Sequence, residues 1–176
     1  MKVIDAYASL DYALTKIEIQ KLAYFLQASG EELKLRYSKQ AFGPYADQLR
    51  HVLTDMEGTL LTGATADAPR AEIRLMPGAI AAADRLLGDN AEARARLERV
   101  GRLIRGYETP YSMELLATVH WVASHEGARS PIEARELVQR WNERKKARYQ
   151  ERHIEKAWQR LESEGWIGGA WAATIS

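Results

Sequence analysis

The feature that most constrains the fold is the recurrence of apolar residues at helical spacing along most of the chain. In the stretch 19–26, apolar residues follow the spacing i, i+3, i+4, i+7, which is typical of one buried helical face. Thr15 and Glu18 precede it with the spacing of a capping box, in which each side chain binds the other residue's backbone N–H. The sequence therefore predicts a helix over about 16–28.

Helix-start signals and short alternating runs complete the predicted fold. Thr109-Pro110 and Ser130-Pro131 place Pro just after a hydroxyl cap, and we expect Pro44 to lie in the first turn of another helix. Alternating apolar residues predict strands at 33–38 and 71–76. We expect one domain, 1–176, with a mainly helical α+β fold of about six helices and two to four short strands. Its C-terminal part, 109–171, has the order of a winged helix-turn-helix, with a strand pair around Gly168-Gly169.

Composition limits the classes of function. The 176 residues include no Cys, which excludes disulfides, thiolate metal sites and Cys nucleophiles. The formal net charge of +1 argues against a chain that is strongly basic or strongly acidic as a whole. No apolar run approaches the length of a membrane helix, and charged residues interrupt the N-terminus where a signal peptide would need an apolar core. We therefore expect a cytoplasmic protein that does not contact the membrane.

The sequence contains no pattern that is typical of an enzyme active site. His120 and His125 are five residues apart and do not share a helix face, and no His-Glu-x-x-His pattern occurs. Gly-x-Ser-x-Gly is absent, and the glycines of 165–169 follow a helix rather than a strand, which is the wrong order for a phosphate loop. We therefore expect no catalytic residues, no metal, no cofactor and no enzyme activity.

A basic segment suggests nucleic-acid binding. The stretch 140–152 has six basic and two acidic residues, a net charge of +4, and in a winged helix-turn-helix it would precede the recognition helix 151–164. That helix has three basic and four acidic residues, so a charged helix surface with a basic loop explains the same pattern. The candidate nucleic-acid contacts are Arg144, Lys145, Lys146, Arg148 and Arg152. In this interpretation the chain is a winged-helix, DNA-binding transcriptional autoregulator.

An aromatic segment suggests a protein interface. Five aromatic residues lie between Tyr24 and Tyr45, close to several basic residues, and two of them flank the Gly43-Pro44 turn. They are either the core of a small domain or an aromatic, cationic contact surface. The candidate partner-binding residues are Tyr37, Lys39, Phe42, Gly43, Pro44, Tyr45, Asp47 and Arg50.

Residues 14–58 resemble a known antitoxin domain. The helix motif and the turn that follows it occur in the same order in the C-terminal, toxin-neutralising domain of DarG antitoxins, and a looser version occurs in antitoxin domains of the SocA or Panacea type. The stretch 153–167 also resembles the end of the DarG domain. The residues that carry the resemblance are Lys16, Gln20, Lys21, Leu22, Tyr24, Phe25, Leu26, Gln27, Gly43, Pro44, Tyr45 and Ala46.

The resemblance implies a function and a partner. DarT toxins use NAD to ADP-ribosylate thymidine in single-stranded DNA, and this DarG domain binds DarT and blocks its DNA site. The implied partner is therefore a DarT-like toxin. In a longer parent polypeptide, a macro domain that removes ADP-ribose from DNA would accompany this domain. We see no macro-type loop here, so we expect either an excised domain or a stand-alone relative. A structural adaptor with an unrelated partner is the remaining alternative.

Any imitation of DNA by this chain must be local. The near-neutral charge leaves only scattered carboxylates around the motif to stand in for phosphates. Aromatic side chains such as Tyr37, Phe42 and Tyr45 would have to replace the bases. The carboxylates in question are Glu31, Glu32, Asp47, Asp55 and Glu57.

Overall fold

The structure is a computed structural model that describes Lys2, residues 14–66 and residues 71–168. The described part contains eight helices and five short strands, which confirms the mainly helical α+β fold. In chain order they are β1 Leu14–Thr15, α1 Lys16–Ala28, β2 Ser38–Gln40, β3 Gly43–Tyr45, α2 Asp47–Met56, β4 Leu61–Thr62, β5 Glu72–Leu75, α3 Ala79–Leu87, α4 Ala91–Ile104, α5 Pro110–Ser124, α6 Pro131–Trp141, α7 Glu143–Arg148 and α8 Glu151–Ser163. None of the helices in the described ranges is long and apolar enough to cross a bilayer.

Helix α5 is the centre of the fold. Thr109 caps its N-terminus by accepting a hydrogen bond from the backbone N–H of Ser112, and Pro110 occupies the first turn as predicted. Its residues from Met113 to His120 are all buried, because α1, α6 and α8 pack around it. A helix that is covered on all sides must be apolar almost all round, and α5 meets this requirement with few exceptions.

The predicted capping box at the start of α1 is present. Thr15 Oγ1 accepts from the backbone N–H of Glu18 at 3.4 Å, and Glu18 Oε2 accepts from the backbone N–H of Thr15 at 2.8 Å. The buried face of α1 includes Leu22 and Phe25, neither of which is exposed to solvent. The cap and the apolar stripe together confirm the helix predicted over 16–28.

Two small antiparallel sheets flank the helices. The first has the strand order β1-β5-β4, and its central strand confirms the strand predicted at 71–76. The second pairs β2 with β3, so that Lys39 lies opposite Pro44. Pro44 therefore lies in a strand, and the prediction that it opens a helix is wrong. Helix α2 begins three residues later, at Asp47.

The strand predicted at 33–38 is also wrong, although the alternation behind it is real. Leu33, Leu35 and Tyr37 are half-buried while the residues between them are exposed, as a strand would require. However, residues 33–37 have no partner strand within the described ranges, and β2 begins only at Ser38, which pairs with Tyr45. The side chain of Gln27 forms the hydrogen bonds of Leu35 instead. The alternation of apolar and polar residues reflects burial of one side of this segment. The side chain of Gln27 provides hydrogen bonds that a neighbouring strand would otherwise form.

The C-terminal part is built from α5, α6 and α8, which pack against one another. Ser130 caps α6 with Pro131 in its first turn, as predicted, while Glu133 binds the backbone N–H of Arg129 rather than that of Ser130. The predicted loop before α8 contains the short helix α7. Half of the strand pair expected at 166–171 lies outside the described residues, which end at 168, and residues 166–168 do not form a strand.

Candidate functional site

The motif on α1 holds the turn that follows it by the backbone. The Gln20 amide donates to the carbonyl of Ala46 at 2.9 Å and accepts from its N–H at 3.0 Å. Gln27, two helical turns later, does the same to Leu35, at 2.9 and 2.8 Å. Side chains seven residues apart lie on the same helix face, so α1 presents two identical clamps to the segment 35–46.

Lys21 adds a third contact, at the turn itself. Its fully buried ammonium group donates to the carbonyl of Pro44 at 2.6 Å. Gly43 has a φ of +95°, which favours glycine, and a Cβ at this position would lie 3.1 Å from Thr118 Oγ1 and 3.5 Å from Lys21 Nζ. The turn therefore packs directly on α5 and α1, and a Cβ at Gly43 would be strained and tightly packed against Thr118.

A buried ionic cluster lies beneath this turn. Lys145 Nζ donates to Glu114 Oε1 at 2.8 Å and to Thr118 Oγ1 at 3.0 Å. Arg144 binds both oxygens of the same carboxylate, at 2.6 and 2.9 Å. Glu114, Lys145 and Lys21 are almost completely inaccessible to solvent. One buried carboxylate therefore interacts with two buried ammonium groups and with the partly exposed guanidinium of Arg144.

The pKa values follow from this crowding. Burial lowers the pKa of Lys21 to about 7 against the attraction of Glu114, and Lys145 lowers it further. Burial also lowers the pKa of Lys145, to about 8, although Glu114 opposes the change. Burial would raise the pKa of Glu114, but the hydrogen bonds and charges of Arg144 and Lys145 outweigh it and bring that pKa to about 2. The carboxylate is thus ionised throughout the physiological range.

The corner between α6 and α7 packs against the same turn from outside. Trp141 donates its indole N–H to the carbonyl of Gln40 at 2.9 Å, and Asn142 donates to the carbonyl of Ala41 at 3.2 Å. The ammonium of Lys39 lies 4.4 Å from the centre of a Trp141 ring. The aromatic segment and the basic segment, which are a hundred residues apart in sequence, therefore form one continuous surface.

We call this surface the turn surface and define it by its solvent-accessible residues. Phe42 is 37% exposed, with the Arg144 guanidinium 4.5 Å from its ring centre. Lys39 is exposed and forms an ion pair with Glu126 at 2.8 Å. The complete set is Lys39, Phe42, Tyr45, Asp47, Arg50, Trp141 and Arg144. An open polar groove of about 610 Å³ adjoins it on α6 and α7, lined by Glu136, Gln139, Arg140, Asn142, Glu143 and Lys146.

The remaining predicted partner-binding residues have other positions. Gly43 and Pro44 are buried, so they shape the turn. Tyr37 is half-buried, with its ring 5.1 Å from that of Tyr24, and its hydroxyl has no hydrogen-bond partner in the described part of the chain. Burial raises the pKa of this hydroxyl, and the neighbouring Tyr24 adds to the effect. Tyr37 thus belongs mainly to the packing beneath the turn.

The predicted nucleic-acid contacts divide into two groups. Lys145 is fully buried, so its assignment as a nucleic-acid contact is wrong: it has no surface to offer a phosphate. The guanidinium of Arg144 donates hydrogen bonds to the carboxylate of Glu114. Lys146, Arg148 and Arg152 are exposed. The structure therefore separates side chains that the charge pattern had grouped together.

Sequence reasoning missed two residues on which the site depends. Glu114 and Thr118 are polar residues in an otherwise apolar, buried helix, and that contrast was a usable signal. His120, in the same helix, was expected to be packed or at the surface, and it is buried with its Nδ1 2.7 Å from the Tyr24 hydroxyl. Burial lowers the pKa of His120 to about 3, so the ring is neutral. Among the described residues, no group of three or more His, Asp or Glu is placed to hold a metal ion.

Comparison with known proteins finds relatives over most of the chain. A protein of Thermus aquaticus named DNA ADP-ribosyl glycohydrolase is 41% identical over 165 residues, which are 94% of this chain and 46% of that protein. Proteins of the same name from Mycobacterium bovis and Mycobacterium tuberculosis are 36% identical over 156 residues, which are 84% of this chain and 44% of each relative. The chain thus spans a little under half the length of these relatives. No protein-family model matches it.

These relatives correct one expectation from the sequence. We expected no enzyme activity, because no catalytic pattern was visible. That expectation is contradicted, since proteins that are 36–41% identical over most of the chain are named for an enzyme activity. The chain is therefore similar to proteins whose name links them to DNA ADP-ribosylation.

Proposed function

We propose that this chain acts in a DNA ADP-ribosylation system as the part that binds and inhibits a DarT-like toxin, in the manner of the DarG C-terminal domain. The similarity to proteins named DNA ADP-ribosyl glycohydrolase supports the system. The resemblance of residues 14–58 supports the role within it. In this proposal the glycohydrolase activity for which the relatives are named belongs to the same system. Inhibition of the toxin by this chain and that activity would then oppose the same DNA modification.

The observation that carries the proposal is the fixed yet exposed turn. Gln20 and Lys21 hold Ala46 and Pro44 by their backbone atoms, so the turn keeps one conformation without using its outward side chains. Phe42 remains 37% exposed on this rigid support. An aromatic side chain that is presented in a preorganised form is the usual anchor of a tight protein interface.

Exposed carboxylates on α2 suit a toxin surface that normally holds DNA. Asp47 is exposed in the first turn of α2, and Asp55 is exposed in its last turn. Glu31 and Glu57 are engaged within the chain, with Arg96 and with the backbone of the segment 63–64 respectively. Glu32 is exposed as well. We therefore assign the phosphate-like role of the proposed local DNA mimicry to Glu32, Asp47 and Asp55, and the base-like role to Phe42 and Tyr45.

The test is inhibition in a purified system. A DarT-like toxin, NAD and a thymidine-containing single strand are incubated with this chain or with its Phe42→Ala variant, and ADP-ribosylated DNA is measured. The proposal expects stoichiometric inhibition by the native chain and loss of inhibition by the variant. No inhibition by the native chain at concentrations well above that of the toxin would overturn the proposal.

A second arm keeps binding and hydrolysis separate. ADP-ribosylated DNA is prepared beforehand, freed of toxin and then incubated with the chain. Release of ADP-ribose in this arm measures the glycohydrolase activity for which the relatives are named. A decrease of modified DNA in the first experiment counts as inhibition only to the extent that this arm does not account for it.

A further inference from the structure

The charges of α8 are segregated around the helix axis. At about 100° per residue, its three exposed glutamates fall within a sector of about 40°, and its three basic residues fall within the adjacent sector of about 80°. The acidic sector contains Glu151, Glu155 and Glu162, and the basic sector contains Arg152, Lys156 and Arg160. A helix with almost no net charge therefore has one strongly basic side, which a sum over the sequence conceals.

Two tyrosines lie along the basic side. The Tyr111 hydroxyl donates to the carbonyl of Arg148 at 3.3 Å and lies 2.7 Å from Nδ1 of His153. The Arg148 guanidinium lies 4.9 Å from the centre of the Tyr111 ring. One helical turn further along α8, the Tyr107 hydroxyl donates to the carbonyl of Lys156 at 3.1 Å. Aromatic rings and cations thus alternate along one side of the molecule.

Helix α4 extends this basic side. Arg160 donates to the carbonyls of Leu103 at 3.0 Å and Arg105 at 3.1 Å, so it caps the C-terminus of α4. This contact places the end of the arginine-rich helix next to α8. We call the resulting surface the basic band and define it as Arg105, Tyr107, Tyr111, Arg148, Arg152 and Lys156.

The cations of the basic band have no acidic partner. Among the residues that the structure describes, none of Arg105, Arg148, Arg152 and Lys156 forms an ion pair with Asp or Glu. The same is not true of the helix surfaces nearby, where Arg135 pairs with Glu151 and Arg96 pairs with Glu92. Four unneutralised cations with two tyrosines between them are what a polyanion with flat bases requires.

We propose that the basic band binds single-stranded nucleic acid. The cations would contact successive phosphates, and the tyrosines and the guanidinium planes would stack against unpaired bases. A duplex fits less well, because the acidic sector of α8 lies directly beside the basic sector and would repel the second strand. This site shares no residue with the turn surface, and its test needs no toxin, so it stands or fails independently of the proposed function.

The test is a titration of the purified chain against fluorescently labelled oligonucleotides of about 15 nucleotides, a length at the upper end of single-domain sites. Anisotropy is measured with oligo-dT, oligo-rU and a mixed-sequence duplex. We expect both single strands to bind more tightly than the duplex. Contacts with three phosphates would weaken single-strand binding about twentyfold between about 50 and about 200 mM salt.

A charge-matched pair of variants locates the site. Arg148→Gln, Arg152→Gln and Lys156→Gln together remove three charges from the basic band, and we expect them to weaken binding at least tenfold and to reduce the salt slope by about 2. Arg36→Gln, Arg85→Gln and Arg129→Gln remove three exposed charges elsewhere, and we expect less than a threefold effect. Tyr111→Phe keeps the ring and should retain binding, whereas Tyr111→Ala should weaken it.

Three results would overturn the proposal. They are absence of single-strand binding at about 50 mM salt, tighter binding of the duplex, and equal losses in the two triple variants. Circular dichroism and thermal melting of each variant ensure that a lost signal reflects the surface. Since the substituted arginines and the lysine are exposed, we expect their melting temperatures to match that of the native chain.

Discussion

The side-chain amide of Gln20 forms hydrogen bonds with both backbone groups of Ala46, across 26 positions of sequence. Both partners are buried, so the amide replaces the neighbouring strand that an extended segment would otherwise need. This one relationship connects the helix motif with the turn, and it explains why the two occur together in the sequence.

Loss of the Gln20 amide should therefore destabilise the whole domain. Gln20→Ala leaves the buried N–H of Ala46 without a partner, at a cost of about 1–3 kcal/mol before any relaxation, while the Ala46 carbonyl still accepts from the N–H of Leu49 at 3.1 Å. We expect the free energy of unfolding in urea to fall by about 1–3 kcal/mol. Gln159→Ala, on the exposed side of α8, is the control and should change it by less than about 0.5 kcal/mol. Equal effects would mean that the clamp does not stabilise the fold.

Phe42→Ala should separate binding from stability. The side chain is 37% exposed, and its main contact is the Arg144 guanidinium, so we expect a loss of less than about 1 kcal/mol in stability. Toxin affinity should fall by about 2 kcal/mol or more, roughly thirtyfold. Leu86→Ala, at a residue that is 91% exposed on α3, should leave both quantities unchanged. A Phe42 variant that binds as tightly as the native chain would remove Phe42 from the interface.

Gly43→Ala should destabilise the turn through both strain and contact. Its positive φ disfavours any Cβ, and the added atom would lie 3.1 Å from Thr118 Oγ1. We expect a loss of about 1–3 kcal/mol, measured by urea unfolding. Gly101→Ala is the matched control, because this glycine lies within α4 with nothing within 4 Å of its Cβ position. There the substitution should stabilise the helix by up to about 1 kcal/mol.

The buried cluster should make stability depend on pH in a defined direction. The pKa of Lys21 is lowered from 10.5 to about 7, so between these values the unfolded chain binds more protons than the folded chain. The free energy of unfolding should therefore rise with pH from about 7 to about 9.5, with a slope of at most about 1.4 kcal/mol per unit for this group. Lys21→Met should reduce that slope, measured by urea unfolding at several pH values.

The acid side should behave differently, and it provides the internal control. The pKa of Glu114 is lowered from 4.5 to about 2, so its contribution is present above pH 4.5 and is lost as the pH falls toward 2. We expect Lys21→Met to leave this acid loss in place, because Arg144 and Lys145 still pair with Glu114. If Lys21→Met changed the loss of stability at acid pH and left the rise of stability above pH 7 unchanged, the assignment of these two effects to Glu114 and Lys21 would be contradicted.

The helices and strands that could be predicted from the sequence are those whose determining contacts lie within a few residues. The caps at Thr15, Thr109 and Ser130 act within three residues, and the sequence predicted all three helix starts. The strand expected at 33–38 is absent before Ser38, because the side chain of Gln27 bonds the backbone of Leu35 and that of Gln48 accepts from the N–H of Arg36. An alternating pattern does not reveal such side-chain partners. Pro44 was read from local preference alone, whereas its pairing with Lys39 decided its structure.

The candidate site was predictable in its parts and not in its assembly. The turn residues and the basic residues were both identified, but only the fold places Trp141 against Gln40 and Arg144 against Phe42. Lys145 is buried and Arg148 is exposed, although residues three apart are neighbours on the surface of a helix. Their neighbouring positions in the sequence contain no trace of that difference.

The clamps on the segment 35–46 have a consequence for how such a domain changes over generations. Gln20, Lys21 and Gln27 form hydrogen bonds only with backbone N–H and carbonyl groups, which every amino acid except proline provides. These contacts therefore place little demand on the identity of Lys39 or Phe42. The exposed side chains of the turn can therefore change during evolution while its backbone conformation is conserved. A domain of this kind can therefore acquire specificity for a new partner by substitution of the exposed turn residues alone.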